Sequence, residues 1–234
     1  MTAEGVSASG RGPGGDPRAE LRRHPERARY GREAVYAILD EGLVAHVGLV
    51  VDGQPFVIPM AYGRDGDELL LHGSVASRLQ RRLATGAPAC VTVTLLDGVV
   101  LARSQFNHSM NYRSVVVFGT ATRLGDEPAC RALARIVDHI VPGRTREARP
   151  PSPTEARQTS VLALRIEAAS VKCRSGPPVD DQDDLGSSPW AGVWAGTVPV
   201  TTEFGAPEPD SGTGPGAAPP ASLTPYRRPG AART

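Results

Sequence analysis

Three Asp-Gly pairs divide the middle of the chain into apolar, β-branched runs. They are Asp52-Gly53, Asp65-Gly66 and Asp97-Gly98. Asp-Gly favours the tight turns that join neighbouring antiparallel strands. We therefore expect three strands over residues 43–73, joined at the first two pairs, and a further strand pair over residues 88–102 that turns at the third.

Helical periodicity occurs in three other segments. Residues 32–42 place apolar side chains three and four apart and then reach Gly42, which favours the end of a helix. A short helix is predicted from Ser74 to about Thr85, directly after a strand. A third helix is predicted over residues 126–141, with Asp126 as its cap. Residues 159–174 alternate as one last strand.

Antiparallel hairpins with two or three inserted helices predict an α+β fold, mainly antiparallel β, in the form of a small closed or nearly closed barrel. The strand–helix alternation of a doubly wound parallel sheet is absent. Pro55 and Pro59 fall in one predicted strand and cannot donate ladder hydrogen bonds. We therefore expect that strand to be an edge, or a bulged stretch whose backbone faces a ligand.

Composition limits the function classes. Lys and Arg total 26 against 25 Asp and Glu, so the chain has no basic field for nucleic acid. The three cysteines lack a CxxC pattern, which disfavours disulfides and a zinc site and fits a reducing compartment. Without an apolar signal region or a run of about 18 apolar residues, we expect a cytoplasmic protein with no membrane contact.

The two ends of the chain differ from its centre in composition. Residues 1–27 and 204–234 are rich in Gly and Pro and poor in large apolar residues. Such segments bury too little surface to order themselves, so both are predicted to be disordered tails. The folded domain is predicted to span residues 28–203.

The turn from strand to helix over residues 72–78 carries the strongest chemical signal. Ser74, Ser77 and Arg78 all fall near the predicted first turn, where free N–H groups and the helix dipole favour an anion such as phosphate. The alternative is that Ser74 merely caps the helix and Arg78 is a solvated surface residue, and spacing alone favours this alternative.

Several motifs together resemble a known family. The motifs are "HVGLVVDGQPFVIPMAY", "LLLHGSVASRLQRRL", "CVTVTLLDGVVLARSQFNHSMNYRSVVVFG" and "PWAGVWAGTVPV". They resemble the flavin-binding split-barrel proteins related to pyridoxamine phosphate oxidase, in particular the nitroimidazole-reductase-like branch, over roughly residues 25–200. The resemblance implies a split β-barrel with flanking helices, bound FMN, and a homodimer with the cofactor between subunits.

The same resemblance implies site positions. The flavin ring would lie along the strand residues Ile58, Pro59, Met60 and Ala61. The turn that follows the next strand would supply contacts to the ring, ribityl chain and phosphate from His72, Gly73, Ser74, Ser77 and Arg78. The partner subunit would add contacts from Asn111, Tyr112, Arg113 and Ser114, and Trp190 would cover the site or belong to the core.

Histidines are the candidate catalytic residues. His72 and His108 lie beside the implied cofactor positions and could deliver a proton to a substrate. His46 falls in an apolar strand and is predicted to be a hydrogen-bonded core residue, and His139 is predicted to be structural. No HxxxH, HxxE or paired-carboxylate spacing indicates a metal site.

Three functional hypotheses remain open from the sequence. The first is an FMN-dependent oxidoreductase that passes electrons from NAD(P)H to a small molecule, such as a nitro-aromatic compound. The second is a non-catalytic module that binds flavin, deazaflavin or haem for storage or regulation. The third is a structural barrel without a ligand.

Overall fold

The computed structural model describes residues 16–186, 188–214 and 216–223. The strands are β1 (Ala28–Arg29), β2 (Val44–Val51), β3 (Gln54–Asp65), β4 (Glu68–Ser74), β5 (Ala89–Leu101), β6 (Ser109–Gly119), β7 (Ala121–Arg123), β8 (Thr159–Arg165), β9 (Ala168–Arg174) and β10 (Gly196–Pro199). The helices are α1 (Arg32–Glu41), α2 (Arg78–Leu83), α3 (Asp126–Ile140) and α4 (Pro153–Gln158).

The strands form one antiparallel sheet in the order β1-β9-β6-β5-β2-β3-β4-β8-β7, with β10 added to β5. β3 connects the two parts of this sheet. Its first part pairs with β2, and only its last four residues, from Tyr62, pair with β4. In the described part of the chain the end strands β1 and β7 do not pair with each other, so the sheet does not close. The predicted α+β split β-barrel with flanking helices is confirmed.

The main core lies inside the barrel. α1 buries Val35, Ile38 and Leu39 there, at the helical spacing that the sequence predicts. Tyr62 is fully buried and donates a hydrogen bond of 2.5 Å to the carbonyl of Leu39, which ties β3 to α1. A second cluster forms where α3 packs against β3, β4 and β8.

Two of the three expected hairpins are confirmed. Asp52 and Gly53 both have positive φ, +51° and +77°, as the tight β2–β3 turn requires. Gly66 turns β3 into β4 with φ +55°. The third expectation is wrong, because β5 runs straight through Gly98 with a bulge at Asp97. β10 packs so closely on Gly98 that a Cβ there would meet the carbonyl oxygen of Val198 at 3.1 Å.

Helix and strand boundaries differ from the predictions in several places. The helix predicted from Ser74 begins at Arg78, because β4 extends through Ser74, and Ser77 is the N-cap. Gly125, rather than Asp126, stands at the N-cap position of α3. The single strand predicted over residues 159–174 is two strands, β8 and β9, joined by a short turn.

The ends of the chain are described only in part. Residues 1–15 and 224–234 lie outside the described residues, and the disorder predicted for both tails stays a prediction. From Asp16 onward the N-terminal segment packs on the sheet, with Ala19 buried and the Arg18 guanidinium 5.4 Å from the Phe118 ring centre. None of the described helices is long and apolar enough to cross a membrane.

Candidate functional site

A cleft of about 250 Å³ opens where β3 separates from β4. Its walls come from the inner side of β2 and β3, from β4 and from α2, and its lining residues are Leu49, Val51, Phe56, Ile58, Met60, Gly73, Ser77, Arg78, Leu79 and Gln80. Ile58, Met60, Gly73, Ser77 and Arg78 are predicted cofactor-binding residues, and the structure brings these together.

The course of β3 explains why this cleft exists. Over residues 54–61 the strand pairs with β2 alone among the described strands, so its other edge carries unpaired backbone groups. The expectation that Pro55 and Pro59 mark an edge is confirmed. Alternation along the strand turns Ile58 and Met60 toward the cleft, whereas Pro59 and Ala61 face the opposite side of the sheet.

The polar groups at the mouth of the cleft belong to Ser77 and Arg78. The Ser77 hydroxyl accepts a hydrogen bond of 3.4 Å from the backbone N–H of Gln80 and so caps α2. The Arg78 guanidinium lies 4.7 Å from the ring centre of Phe56 and makes no ion pair with any residue that the structure describes. A cation held over an aromatic ring is thus available to an anionic ligand.

Gln80 is a functional candidate that sequence reasoning missed. Only 1% of the residue is exposed, and neither its amide oxygen nor its amide nitrogen has a hydrogen-bond partner in the described structure. A Cβ at Gly73 would come within 3.0 Å of the Gln80 side chain, so glycine leaves the room that this amide occupies. Burying an unpaired amide costs stability unless a ligand completes its hydrogen bonds.

His72 and Ser74 do not line the cleft. His72 turns to the other face of β4 from Gly73, the face that packs toward α3 with Leu70. Its Nδ1 atom is buried without a hydrogen-bond partner, and burial lowers the pKa of His72, which keeps its imidazole neutral. The Ser74 hydroxyl accepts a hydrogen bond of 3.2 Å from the N–H of Ala76.

The residues predicted to act on a partner's cofactor lie on β6, away from the lining of the cleft. Tyr112 and Ser114 line a separate hollow of about 310 Å³, together with Lys172 and the N-terminal segment. Asn111 donates a hydrogen bond of 3.1 Å to the carbonyl of Gly176 and accepts another from Arg174. Their predicted role stays a prediction for an assembly of two chains.

Three other predicted site residues do not line the cleft. Arg113 is bound by the carboxylates of Glu41 and Asp97. Trp190 is 58% exposed in the turn before β10. His108 is exposed, and its Nδ1 lies 2.9 Å from the Ser104 carbonyl oxygen.

The sequence analysis also made predictions for His46 and His139. The prediction for His46 is wrong: it is exposed, because β2 turns it outward. His139 bonds the Gly42 carbonyl at 2.8 Å through Nε2 and packs against Tyr62, which confirms a structural role.

The sequence that forms this cleft matches a known protein family. Residues 31–173, which include β2–β6 and the whole cleft, match the family model described as pyridoxamine 5′-phosphate oxidase. The chain belongs to the pyridoxamine 5′-phosphate oxidase family. No curated protein matches the chain.

Solved structures of family relatives are also similar. The FAD and haem binding protein from Mycobacterium smegmatis shares 42% identity with a TM-score of 0.80, over 85% of this chain and 96% of that one. The flavocytochrome Anf3 from Azotobacter vinelandii shares 39% identity with a TM-score of 0.82, over 91% of this chain and 97% of that one.

The nitroimidazole-reductase-like branch is represented at lower similarity. A 5-nitroimidazole antibiotic resistance protein homologue from Bacteroides thetaiotaomicron shares 22% identity and a TM-score of 0.50, over 62% of this chain and 86% of that one. At this identity the likeness supports the fold alone.

Proposed function

We propose that the protein is a flavin-dependent oxidoreductase that holds its flavin in the cleft between β3 and β4. The observation that carries the proposal is the buried amide of Gln80, which has no hydrogen-bond partner among the described residues. It lies in a cleft whose mouth carries Arg78, a cation without an ion pair in the same part of the chain. The apolar walls and the open edge of β3 suit a flat heterocycle, and Arg78 suits its phosphate. Either FMN, which the motif resemblance implies, or FAD, which the Mycobacterium smegmatis relative is named as binding, meets these requirements.

The flavin supplies hydride and electron transfer, and the chain's own residues position it and exclude water. We expect electrons to enter from NAD(P)H and to leave to a small acceptor of the nitro-aromatic or a related class. His72 faces away from this cleft, on the other side of β4, so we assign it no proton transfer to a substrate there.

The test is a spectrum of the purified protein before and after addition of NAD(P)H. An oxidoreductase shows a flavin spectrum that bleaches with NAD(P)H and returns when an acceptor is added. A flavin spectrum that no nicotinamide donor changes would contradict the nicotinamide-dependent activity and favour a storage or regulatory role.

We also propose that the working unit is a homodimer with a site shared by both chains. The cleft of one chain, about 250 Å³, is below the usual range of about 300–1,000 Å³ for small-molecule sites, which supports a site that a second chain completes. The outward face of β2 and β3 exposes Val44, Val50 and Val57 at 48%, 54% and 62%. Light scattering tests this: Val57→Glu is expected to shift the mass from dimer to monomer, and a monomeric wild-type chain would contradict the proposal.

A second candidate function is a flavocytochrome, in which haem acts together with the flavin. It is supported by the two relatives with about 40% identity, one named an FAD and haem binding protein and the other a flavocytochrome. A haem adds a one-electron carrier to the chemistry of the flavin.

A further inference from the structure

A hollow of about 310 Å³ lies on the outward face of the sheet, on β6 and β9, and shares no lining residue with the flavin cleft. The alternate residues Val115, Val117 and Val171 of these strands point into the barrel core. Residues 18–21 of the N-terminal segment form the wall of the hollow. Its floor consists of Tyr112, Ser114, Val116, Ser170 and Lys172. We call this space the β6–β9 hollow.

The N-terminal segment is fixed to the sheet, so the wall of the hollow is preformed. Ala19 is 1% exposed, and the N–H of Leu21 donates a hydrogen bond of 3.2 Å to the hydroxyl of Tyr30. The Arg18 guanidinium lies 3.5 Å from the carboxylate of Glu167. The charge of Arg18 is therefore compensated within the chain.

The ammonium group of Lys172 is not compensated in this way. Lys172 is the only lysine of the chain, and it makes no ion pair or hydrogen bond with any residue of the described ranges. Arg174, two residues further along β9, is only 9% exposed, and its guanidinium donates to a neutral amide and two backbone carbonyls. Two neighbouring cations thus have no carboxylate partner in the described structure, and this surplus of positive charge favours an anion.

Two hydroxyl groups of the floor are also available to a ligand. Ser170 is 6% exposed, yet its hydroxyl makes no hydrogen bond to a described residue. The Tyr112 hydroxyl has no such partner either. Because a buried hydroxyl without a hydrogen bond costs free energy, an acceptor in the hollow would be stabilised by these groups.

The other lining residues limit the charge and shape of this acceptor. Glu20 also lines the hollow, and its carboxylate lies 3.5 Å from Arg22, so it opposes a second negative charge beside Lys172. Val116 and Leu21 offer apolar contact. We propose that the β6–β9 hollow binds a small monocarboxylic acid, with its carboxylate on Lys172 and its apolar part against these two side chains. The site is separate from the flavin cleft and does not depend on the proposed function.

Titration of the full chain with benzoate near neutral pH, followed by ligand-observed NMR, tests the proposal. Benzamide is the neutral analogue, and inorganic phosphate is the more highly charged anion. We expect benzoate to bind with a Kd of about 1 mM or tighter, and the other two to bind at least about tenfold more weakly. Absence of benzoate binding, or equal binding of benzamide, would contradict a carboxylate site.

Three variants test the residues that carry the proposal. Lys172→Met is expected to weaken benzoate binding at least about tenfold. Arg123→Met, which removes the same charge from an exposed position on β7, should bind as wild type does. Glu20→Gln should tighten benzoate binding about two- to fivefold, a gain that a damaged fold would not produce. Unchanged binding in Lys172→Met, or weaker binding in Glu20→Gln, would overturn the assignment.

The same titration of flavin-loaded protein tests whether the two sites are separate. We expect an unchanged Kd for benzoate. Loss of benzoate binding on flavin uptake would overturn the statement that the sites are separate, and would favour a contact of Tyr112 with the cofactor of a partner subunit. Benzoate binding by protein that takes up no flavin would contradict the proposed function and leave this site standing.

Discussion

Arg113 on β6 forms a paired ion contact with Glu41 at the end of α1. Its Nη1 and Nη2 atoms lie 2.5 and 2.8 Å from the two carboxylate oxygens of Glu41. The same guanidinium donates to the carboxylate of Asp97, at 2.8 to 3.3 Å, in the bulge of β5. These carboxylates raise the pKa of Arg113 above its usual range. One side chain therefore ties the helix, the bulge and β6 together.

Replacement of Arg113 by methionine is expected to destabilise the fold. The change leaves the Glu41 carboxylate, whose side chain is only 15% exposed, without its cation. Because Arg113 and Asp97 are each about a third exposed, solvent screens part of the loss, and we expect the free energy of unfolding to fall by about 1–2 kcal/mol. Urea unfolding measures this. Arg131→Met, which breaks an exposed ion pair with Glu127, is the control. It should lower the free energy of unfolding by less than about 0.5 kcal/mol.

Asp180 is expected to make stability depend on acid pH. The backbone N–H of Arg103, at 2.8 Å, and its guanidinium, at 2.6 Å, hold the pKa of Asp180 below its ordinary range. A lowered carboxylate pKa stabilises the fold above the unfolded pKa of about 3.9, and this contribution is lost as the pH falls through the folded pKa.

The measurement is the urea midpoint of unfolding between pH 6 and pH 3. Asp180→Asn should reduce the midpoint at pH 6 and flatten its fall toward pH 3. Asp183→Asn, at an exposed neighbouring position, should follow the wild-type curve. An Asp180→Asn curve parallel to that of wild type would show that this carboxyl does not titrate differently on unfolding.

Gln80→Leu should separate stability from ligand binding. In the flavin-free protein the unpartnered amide costs free energy, so a leucine of similar size is expected to raise stability by about 1 kcal/mol. The same change should weaken flavin binding, because the ligand loses a hydrogen-bond partner. Thermal unfolding of the flavin-free protein and fluorescence titration with flavin report the two effects. A less stable flavin-free variant would mean that the amide is satisfied within the chain.

Gly119→Ala should be strongly destabilising. A Cβ at this position would stand 1.9 Å from the carbonyl oxygen of Arg165, at the point where β6 gives way to β7. The backbone would have to move to relieve this clash. We therefore expect the free energy of unfolding, measured with urea, to fall by about 3 kcal/mol or more. Gly125→Ala, where nothing lies within 4 Å of the new Cβ, is the matched control. Equal stability of the two variants would contradict the close approach of β6 and β8.

Local signals predicted most of the fold. The Asp-Gly turns at Asp52 and Asp65 form as predicted, and the ion pair of Asp65 with Arg135, at 3.8 Å between exposed side chains, does not disturb the second turn. Asp97 carries the same signal, but its carboxylate binds Arg113 and β10 packs on the next residue, so tertiary contacts convert the expected turn into a bulge. Helix α4 was not predicted, although the Ser152 and Glu155 of its capping box can be recognised in the sequence.

The candidate site was harder to predict than the fold. The motif resemblance indicated Ile58, Met60 and Arg78, which do line the cleft. Gln80 gave no signal, since a glutamine among arginines is typical of a solvated helix face, and its burial follows from how α2 docks on β4. The motif resemblance placed both His72 and Gly73 at the cofactor, but neighbouring residues of a strand point to opposite faces, and only Gly73 faces the cleft.

Flavin titration tests the central claim most directly. Flavin-free protein is titrated with FMN and with FAD while flavin fluorescence is recorded, for wild type, for Ser77→Ala combined with Arg78→Ala, and for Arg81→Ala as a charge-matched control on the exposed side of α2. We expect wild type and Arg81→Ala to bind flavin equally, and the double variant to bind about 10- to 100-fold more weakly. Wild-type protein that takes up neither flavin, or a double variant that binds as tightly as wild type, would contradict a flavin phosphate held at the mouth of this cleft.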